Sequence, residues 1–513
     1  MKRVTDNHGK NTPGVDKQTW DTPAKKSQAV RRVGERRSYT PSPLRRIYIP
    51  KSSNPKKLRP LSIPTMDDRA QQALHLLALD PVAETIHDHN SYGFRKGRST
   101  ADAKVALRGA IDQCFNVLGK KTSSDFALEG DIKSCFDEVS HEFLLSAGHI
   151  PMDQTVLRKW LKAGYIEKNV FYPTETGTPQ GGIASPVLAN LALNGMECLL
   201  RQKFPDGSKA QQQAKIHLVR YADDFIITGS SEEVLKHTVK PLIEKFLDER
   251  GLELSADKTI ITAITDGFDF LGQNIRKRQG KLLITPSRKS IDALKTKVRL
   301  VLKNQPQATA GEIIAQLNPI LRGWANYHRH VVSSRIFNDM DHDIFWCVWR
   351  WALRRHPTRT KHWVKQTYFP KVDQRNWVFT SGRSRGHGQM ETRTSKLRPL
   401  HLFRLSSVPI KRHIKIRANA NPYDPVWETY FEARLHARTK DTLEDRIDLQ
   451  LLWHRQSGIC PVCDQPLMPD DPWERHHVIW RVYGGSDTLD NLQLLHPNCH
   501  RQLHAAQTQA NSG

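Results

Sequence analysis

The sequence predicts a multidomain α+β protein, and three features carry that expectation. Helical and strand patterns alternate from about residue 60 to 275, helical patterns alone follow from 287, and a short tail rich in Cys and His comes last. With 513 residues the chain has room for about three domains. The alternating stretch reads as a mixed sheet covered by helices, with DRAQQALHLLALDPVAETI as a helix and FALEGDIKSCF and HLVRYADDFIITG as strands.

The flanks follow the same logic. The first forty residues are polar and basic, and order is expected to begin in earnest at RRIYIPK, where apolar residues alternate with basic ones. In 287–303, Ile291, Leu294, Val298, Val301 and Leu302 share one helical face while basic residues occupy the rest. The next helical region interleaves Trp324, Tyr327, Trp346, Trp349 and Trp351 with Arg and His, and most of these rings are expected to pack a core. Residues 371–420 are basic and punctuated by SGRSRGHG, which reads as a loosely structured connector able to track a phosphate backbone.

The net charge of +25 is spread along the chain, which points to a polyanion bound over a wide surface. No segment approaches the roughly 18 consecutive apolar residues of a membrane helix, and the N-terminus lacks the apolar core of a signal peptide. A soluble intracellular protein with no membrane partner is expected. Cys114, Cys135, Cys198 and Cys347 stand singly in apolar or mixed segments and read as buried thiols, whereas Cys460, Cys463 and Cys499 cluster as a metal site would.

Chemistry concentrates in two places. In HLVRYADDFIITG, Asp223 and Asp224 fall at the tip of a hairpin. Adjacent acids within apolar strands are costly unless a cation neutralises them. FALEGDIKSCF ends a second strand on Asp131, able to meet that hairpin, and such a set suits two Mg²⁺ ions, which prefer oxygen ligands. In the tail, Cys460 and Cys463 have zinc-knuckle spacing and His496 with Cys499 repeats it, giving four N/S ligands for a structural Zn²⁺ in a module too small to fold readily without a staple. His476, His477 and Asn491 lie between the pairs, and His500 and His504 follow them.

The order of the Asp131 strand, the TPQGG turn holding Gln180 and the Tyr-Ala-Asp-Asp hairpin resembles a reverse transcriptase palm. With SYGFRKGRSTADA, LRPLSIPT, GLELSADKT, FDFLG and LRGWANYH, nearly the whole chain resembles the group II intron-encoded reverse transcriptase/maturase family, and the tail resembles HNH, or ββα-metal, nucleases. That resemblance implies a right-hand polymerase with fingers and an antiparallel palm sheet, a helical thumb/maturase region and a small zinc-bound HNH domain. It implies RNA-directed DNA synthesis, maturase activity and DNA nicking that together support intron mobility by target-primed reverse transcription. The implied partners are intron RNA, RNA template, target DNA and dNTPs, in a bacterial-type cytoplasm beside the nucleoid.

Residue by residue, the resemblance makes Asp131 and Asp223 ligands of two Mg²⁺ ions, with Asp224 an accessory acid. It places Gln180 near the nucleotide and gives Phe136 the rejection of a ribose 2′-hydroxyl; Arg46, Lys51, Arg59 and Lys258 become triphosphate or template contacts. In the tail it makes His477 the general base and Asn491 the residue that fixes its loop, with His476, His500 and His504 around one divalent ion; Glu474 and Arg481 read as surface residues. The implied division is a basic extension at 1–40, shorter than the family usually has, fingers and palm at 41–283, thumb/maturase at 284–370, a basic DNA-binding linker at 371–440 and the nuclease at 441–513. Two rivals remain. A non-catalytic RNA-binding splicing cofactor should have lost its carboxylates, yet all three stand; a host-adopted enzyme of defence or repair is disfavoured by the nuclease tail.

Overall fold

The computed structural model describes every residue except 1, 6, 8, 35–38, 52–53, 113–122, 147, 179–180, 373, 382–399, 444–446, 469–472, 481–483, 487 and 511–513. The chain forms two compact units, Met1–Ala418 and Asn419–Gly513. In the first, the strands are β1 Leu44–Lys51, β2 Asn54–Ile63, β3 Phe126–Asp131, β4 Tyr165–Glu167, β5 Val170–Tyr172, β6 His217–Tyr221, β7 Asp224–Gly229, β8 Ile260–Ala263, β9 Phe268–Phe270, β10 Gln273–Arg278 and β11 Lys281–Pro286.

These strands do not make the single mixed sheet expected. One sheet, β6-β7-β3-β8, is antiparallel throughout; a second, β2-β1-β4-β5, contains the parallel pair β1/β4; and a third runs β11-β10-β9. The parallel pair arises because two hairpins, β1-β2 and β4-β5, meet edge to edge through a long intervening connection. In the antiparallel sheet Leu128, Leu218, Phe225 and Ile227 share a core with Leu188 and Leu191 of the helix Ser185–Ala192 and with Ile243 and Leu247 of the helix Lys240–Asp248.

Order begins earlier than the 45–51 strand. Val4, Trp20 and Ala29 are buried together with Met66 and Ala70 of the helix Met66–Ile86, so a few apolar residues in the basic N-terminal stretch suffice to dock it. The helix Arg288–Asn304 buries Leu294, Val298 and Leu302 as its periodicity requires. That face packs with the helices Ala310–His328 and Ser334–Arg355 in a core containing Leu317, Leu321, Phe337, Val348 and Trp351. Trp349 and Trp351 are buried, whereas Tyr327 and Trp346 keep open faces.

The connector is tied down where described: Phe379, Leu405 and Val408 belong to that helical core, and the division between units falls after Ala418. Its SGRSRGHG run falls, after Ser381, outside the described residues. Cys135 is buried and Cys347 half-buried, but Cys198 is exposed on the solvent side of the helix Met196–Lys203, correcting the expectation for that thiol; Cys114 is outside the described residues. No helix among the described residues is long and apolar enough to cross a membrane.

The second unit contains the helices Glu428–Leu443 and Ile447–Arg455, then β12 Glu474–His477 paired antiparallel with β13 Leu492–Leu495, then the helix Pro497–Ala510. Leu452, Trp453, Leu467, Leu494 and Leu495 close around Cys460 and Cys499. So small a core leaves little margin of its own.

One buried cation in the first unit opposes folding. Lys104 is 1% exposed, and its Nζ has no hydrogen-bond partner among the described residues. The Tyr327 ring, 3.8 Å from Nζ, offsets part of the desolvation cost. Burial pulls the Lys104 amine down to about 7. Between that value and the ordinary lysine range the unfolded chain holds a proton the folded one lacks, so stability rises with pH there. Lys104→Met should therefore stabilise the first unit at pH 6.5 by about 1–4 kcal/mol. The gain should shrink towards pH 9.5 in urea unfolding; a gain that grows with pH, or none, would contradict this account.

Candidate functional site

The register of the antiparallel sheet brings the acids to one end. Asp131, last residue of β3, pairs with Asp224, first residue of β7. β6 and β7 form a hairpin in which Tyr221 pairs with Asp224, leaving Ala222 and Asp223 as the turn. Ala222 takes φ 58°, a conformation that hairpin turns demand and residues with a Cβ resist.

That turn is held from behind by the start of the SYGFRKGRSTADA segment, for which the sequence implied no structural role. Ser91 bridges Arg220 in parallel; the Tyr92 amide donates to the Arg220 carbonyl at 2.9 Å, and the Arg220 amide donates to the Asn90 carbonyl at 2.9 Å. The Arg220 side chain is fully buried, and its Nη1 donates to the Ala222 carbonyl at 3.2 Å and to Asn190 Oδ1 at 3.1 Å. Asn190 Nδ2 in turn donates to the Gly93 carbonyl at 2.7 Å. Burial draws Arg220 down to about 10, which leaves it charged at neutral pH. A Cβ on Gly93 would fall 2.3 Å from the Ala222 nitrogen, so only glycine permits this approach. The available signal was an arginine inside an otherwise apolar strand, which needs buried acceptors.

Electrostatics at the sheet end are unbalanced. Loss of water, then the charges of Asp223 and Asp131, push the Asp224 carboxyl up to about 6, although one side of the residue remains open to solvent. Burial and the Asp131 charge also raise Asp223, against Arg59 and Lys258, which lower it. Lys258 Nζ contacts Asp131 Oδ2 at 2.8 Å. Three carboxylates gathered at one sheet end, where Asp131 raises the proton affinity of both Asp223 and Asp224, suit a hard divalent cation, and the donor set fits Mg²⁺ chemistry.

A cleft of about 240 Å³ has a lining that includes Arg46, Ser62, Phe136, Trp160 and Tyr165 together with the acids Asp137 and Glu175. The Arg46 guanidinium lies 3.9 Å from the centre of the Tyr165 ring. Phe136, in the short helix Cys135–Glu138, meets Phe94 edge to face at 6.3 Å. Phe94, in the SYGFRKGRSTADA segment, has φ 58° and is 52% exposed, a strained aromatic to which the sequence assigned no role. Gln180 is outside the described residues, but Gly181 beside it sits so close to β2 that a Cβ would fall 2.7 Å from the Ser62 carbonyl oxygen. The backbone of Lys51 ends β1; its side chain is outside the described residues.

The second unit presents two clusters. Ligand atoms of Cys460, Cys463, His496 and Cys499 lie within 4.8 Å of one another, and so do those of His476, His500 and His504. His496 Nδ1 is 3.4 Å from Cys463 Sγ while its Nε2 faces the Pro466 carbonyl at 3.2 Å. One ring nitrogen tied to a carbonyl and the other aimed at sulfur is the arrangement that orients a metal-binding histidine. Backbone amides of His496, Val462 and Cys463 lower the Cys460 thiol, against burial, which acts to raise it. The set fits a tetrahedral zinc ion.

In the histidine cluster, His500 Nδ1 meets Glu474 Oε2 at 2.5 Å and His504 Nε2 meets His500 Nε2 at 3.0 Å. Burial, then the neighbouring histidines, lower His476 and favour the neutral, metal-binding form. Glu474 is thus no idle surface residue. Two positions before His476 on a strand, it shares that residue's face, and this period-two spacing was the signal available. Arg481 is outside the described residues. Asn491 clamps the loop after β12: Oδ1 accepts from the Ile479 amide at 2.7 Å, while Nδ2 donates to the carbonyls of Ile479 at 2.9 Å and Ser486 at 2.8 Å. His477 pairs with Leu492 across the hairpin, next to that loop.

A carboxylate hairpin at the end of an antiparallel sheet backed by helices defines a template-directed nucleotidyl transferase. Family models agree: residues 49–275 match reverse transcriptase (RNA-dependent DNA polymerase), 291–369 the group II intron maturase-specific domain, 460–506 HNH endonuclease, and 1–33 the N-terminal domain of reverse transcriptase. Similar proteins include YkfC of Escherichia coli, 33% identical over 304 residues, which cover 51% of this chain and 77% of YkfC. The group II intron-encoded protein LtrA of Lactococcus lactis is 29% identical over 379 residues, 57% of this chain and 61% of LtrA. A 91 kDa protein in the cob intron of Schizosaccharomyces pombe is 27% identical over 398 residues, 63% of this chain and 47% of that protein. The chain belongs to the group II intron-encoded reverse transcriptases, with a maturase domain and an HNH endonuclease domain.

The clamp behind the turn is testable. Gly93→Ala must push Ala222 and with it Asp223, and a displacement near 1 Å at reacting groups costs about a hundredfold in rate. Primer extension on an RNA template should fall by that order while the unfolding midpoint of the first unit moves little; full activity would show that the close approach does not matter.

Proposed function

We propose that the chain copies RNA into DNA at the β3/β7 sheet end, assists splicing of its own intron RNA through the maturase domain, and nicks target DNA with the HNH domain to generate the primer. The observation that carries this reading is the Asp131/Asp224 register beside the Asp223 turn. Asp131, Asp223 and Asp224 would hold two Mg²⁺ ions. When bound, these supply activation of the primer 3′-hydroxyl and charge relief on the departing pyrophosphate. Arg59 and Lys258 balance the acids and face the triphosphate. Arg46 and Lys51 extend that basic rim along β1, Gln180 backs the nucleotide, and the Phe136 ring excludes a ribose 2′-hydroxyl.

In the nuclease, His477 takes the proton from the attacking water, and Asn491 holds the adjoining loop so that its imidazole keeps its orientation. His476, His500 and His504 would hold one divalent ion, with Glu474 fixing the His500 ring from behind. Cys460, Cys463, His496 and Cys499 would hold the zinc ion that staples the module. Residues 41–283 serve as fingers and palm, 284–370 as thumb and maturase region, 371–440 as a basic segment that contacts target DNA, and 441–513 as the nuclease. Such an enzyme works in the cytoplasm, where nucleoid DNA and intron RNA meet.

Asp223→Asn should abolish dNTP incorporation on a primed RNA template in Mg²⁺ and leave RNA binding intact; retained synthesis removes the metal-ligand role. His477→Ala should stop nicking of supercoiled plasmid but not DNA synthesis. Loss of both activities would show that the two centres depend on each other.

A further inference from the structure

A second cavity lies far from the carboxylate turn in sequence, in the helical part of the first unit. It has a volume of about 340 Å³, and its lining includes Ser334, Arg375, Arg404, Ser406 and Ser407. We propose that this cavity seats a backbone phosphate of a nucleic-acid strand and so anchors that strand on the helical region. This rests on the reading of the basic segment after residue 370 as a nucleic-acid contact, and names the group it grips.

The chemistry is that of a phosphodiester site. Two arginines, Arg375 and Arg404, line the cavity, and guanidinium pairs with phosphate through a planar fork of donors. Arg375 makes no side-chain ion pair or hydrogen bond among the described residues, so its charge is available. The acid beside the cavity, Asp341, is already engaged. Its Oδ1 accepts from the Leu405 amide at 2.7 Å; its Oδ2 accepts from the Ser406 amide at 2.9 Å and hydroxyl at 2.6 Å and lies 3.4 Å from Arg404 Nε. That carboxylate fixes the 404–406 turn and cancels one positive charge at most, leaving the cavity lining net positive.

The cavity also faces the start of the 22-residue helix Ser334–Arg355. The Ser333 hydroxyl does not cap it but donates inward to the His328 carbonyl at 3.0 Å. First-turn amides without a side-chain cap add to the pull on an anion from the two arginines. A strand fits better than a free anion, because the cavity is open, the two arginines are exposed and the surrounding segment is basic.

The test measures binding of the full chain to two probes, a labelled RNA hairpin and a DNA duplex of the same sequence, from 50 to 400 mM KCl. Wild type should bind with a steep salt dependence; if it binds neither probe, the underlying reading of the basic segment fails and the pocket with it. Arg375→Ala should weaken binding of at least one probe about fivefold at 0.15 M salt and reduce the slope of log affinity against log salt by about one. The probe that responds identifies the strand as RNA or DNA. Arg375→Lys, which keeps the charge without the fork, should restore the slope but not all the affinity. Unchanged affinity and slope for both probes, with wild type binding normally, would overturn the pocket and leave the wider reading standing. The pocket is overturned equally if inorganic phosphate raises the unfolding midpoint of wild type but not of Arg375→Ala while strand binding stays equal, for then the site takes a free anion.

Discussion

Antiparallel pairing of β3 with β7 sets Asp131 across from Asp224, like charges at the end of a ladder, with Asp223 one residue away. Directly opposed like charges destabilise a sheet pair. The fold accepts that cost at one place and surrounds it with corrections: Lys258 on Asp131, Arg59 near Asp223, and Arg220 buried behind the turn. None of these cancels the crowding, since Asp223 and Asp224 both keep a raised affinity for protons. What remains is an electrostatic deficit shaped for a cation. The rest of the first unit keeps that deficit in place, because a one-residue slip of β3 would turn Asp131 to the other face of the sheet and Leu128 out of the core.

The same principle governs the second unit with different donors. There the core is small, and Cys460 and Cys499 sit inside it among leucines. A sulfur pair in a core of that size serves stability only if something binds it, whereas the histidine cluster on the β12 side is arranged for chemistry, with His500 oriented by Glu474. Separate ligand sets, one soft and one nitrogen-rich, would let a module of this size divide folding from catalysis.

Much of this was legible in the sequence because it depends on local periodicity. Alternation in 126–131 and 217–229 defines strands, and the 3.6-residue stripe through Leu294, Val298 and Leu302 defines a buried helix face. The Cys and His spacings in the tail are likewise local. What escaped depends on contacts between distant segments. Nothing near Gly93 tells that its missing Cβ makes room for Ala222, and Trp20 gives no hint that it will bury itself against Met66. The connector misled for a related reason: its charge density suggests solvent, yet Phe379, Leu405 and Val408 are enough to fold it against the helices. Charge predicts where a chain meets water, and a few apolar anchors decide whether it is held.

Polar burial in the first unit follows a pattern that composition alone would not suggest. Arg220 donates to two acceptors and supports the turn, whereas Lys104 has only an aromatic face. Both are buried cations, but they differ in what their neutral replacement would do. Removing Arg220 would leave the Ala222 carbonyl and Asn190 without their donor and free the turn to move; removing Lys104 leaves no orphaned acceptor. A buried charge that donates to a turn holds geometry, and one that donates to nothing only subtracts stability. The carboxylate turn is therefore positioned less by its own residues than by an arginine whose side chain never reaches the surface.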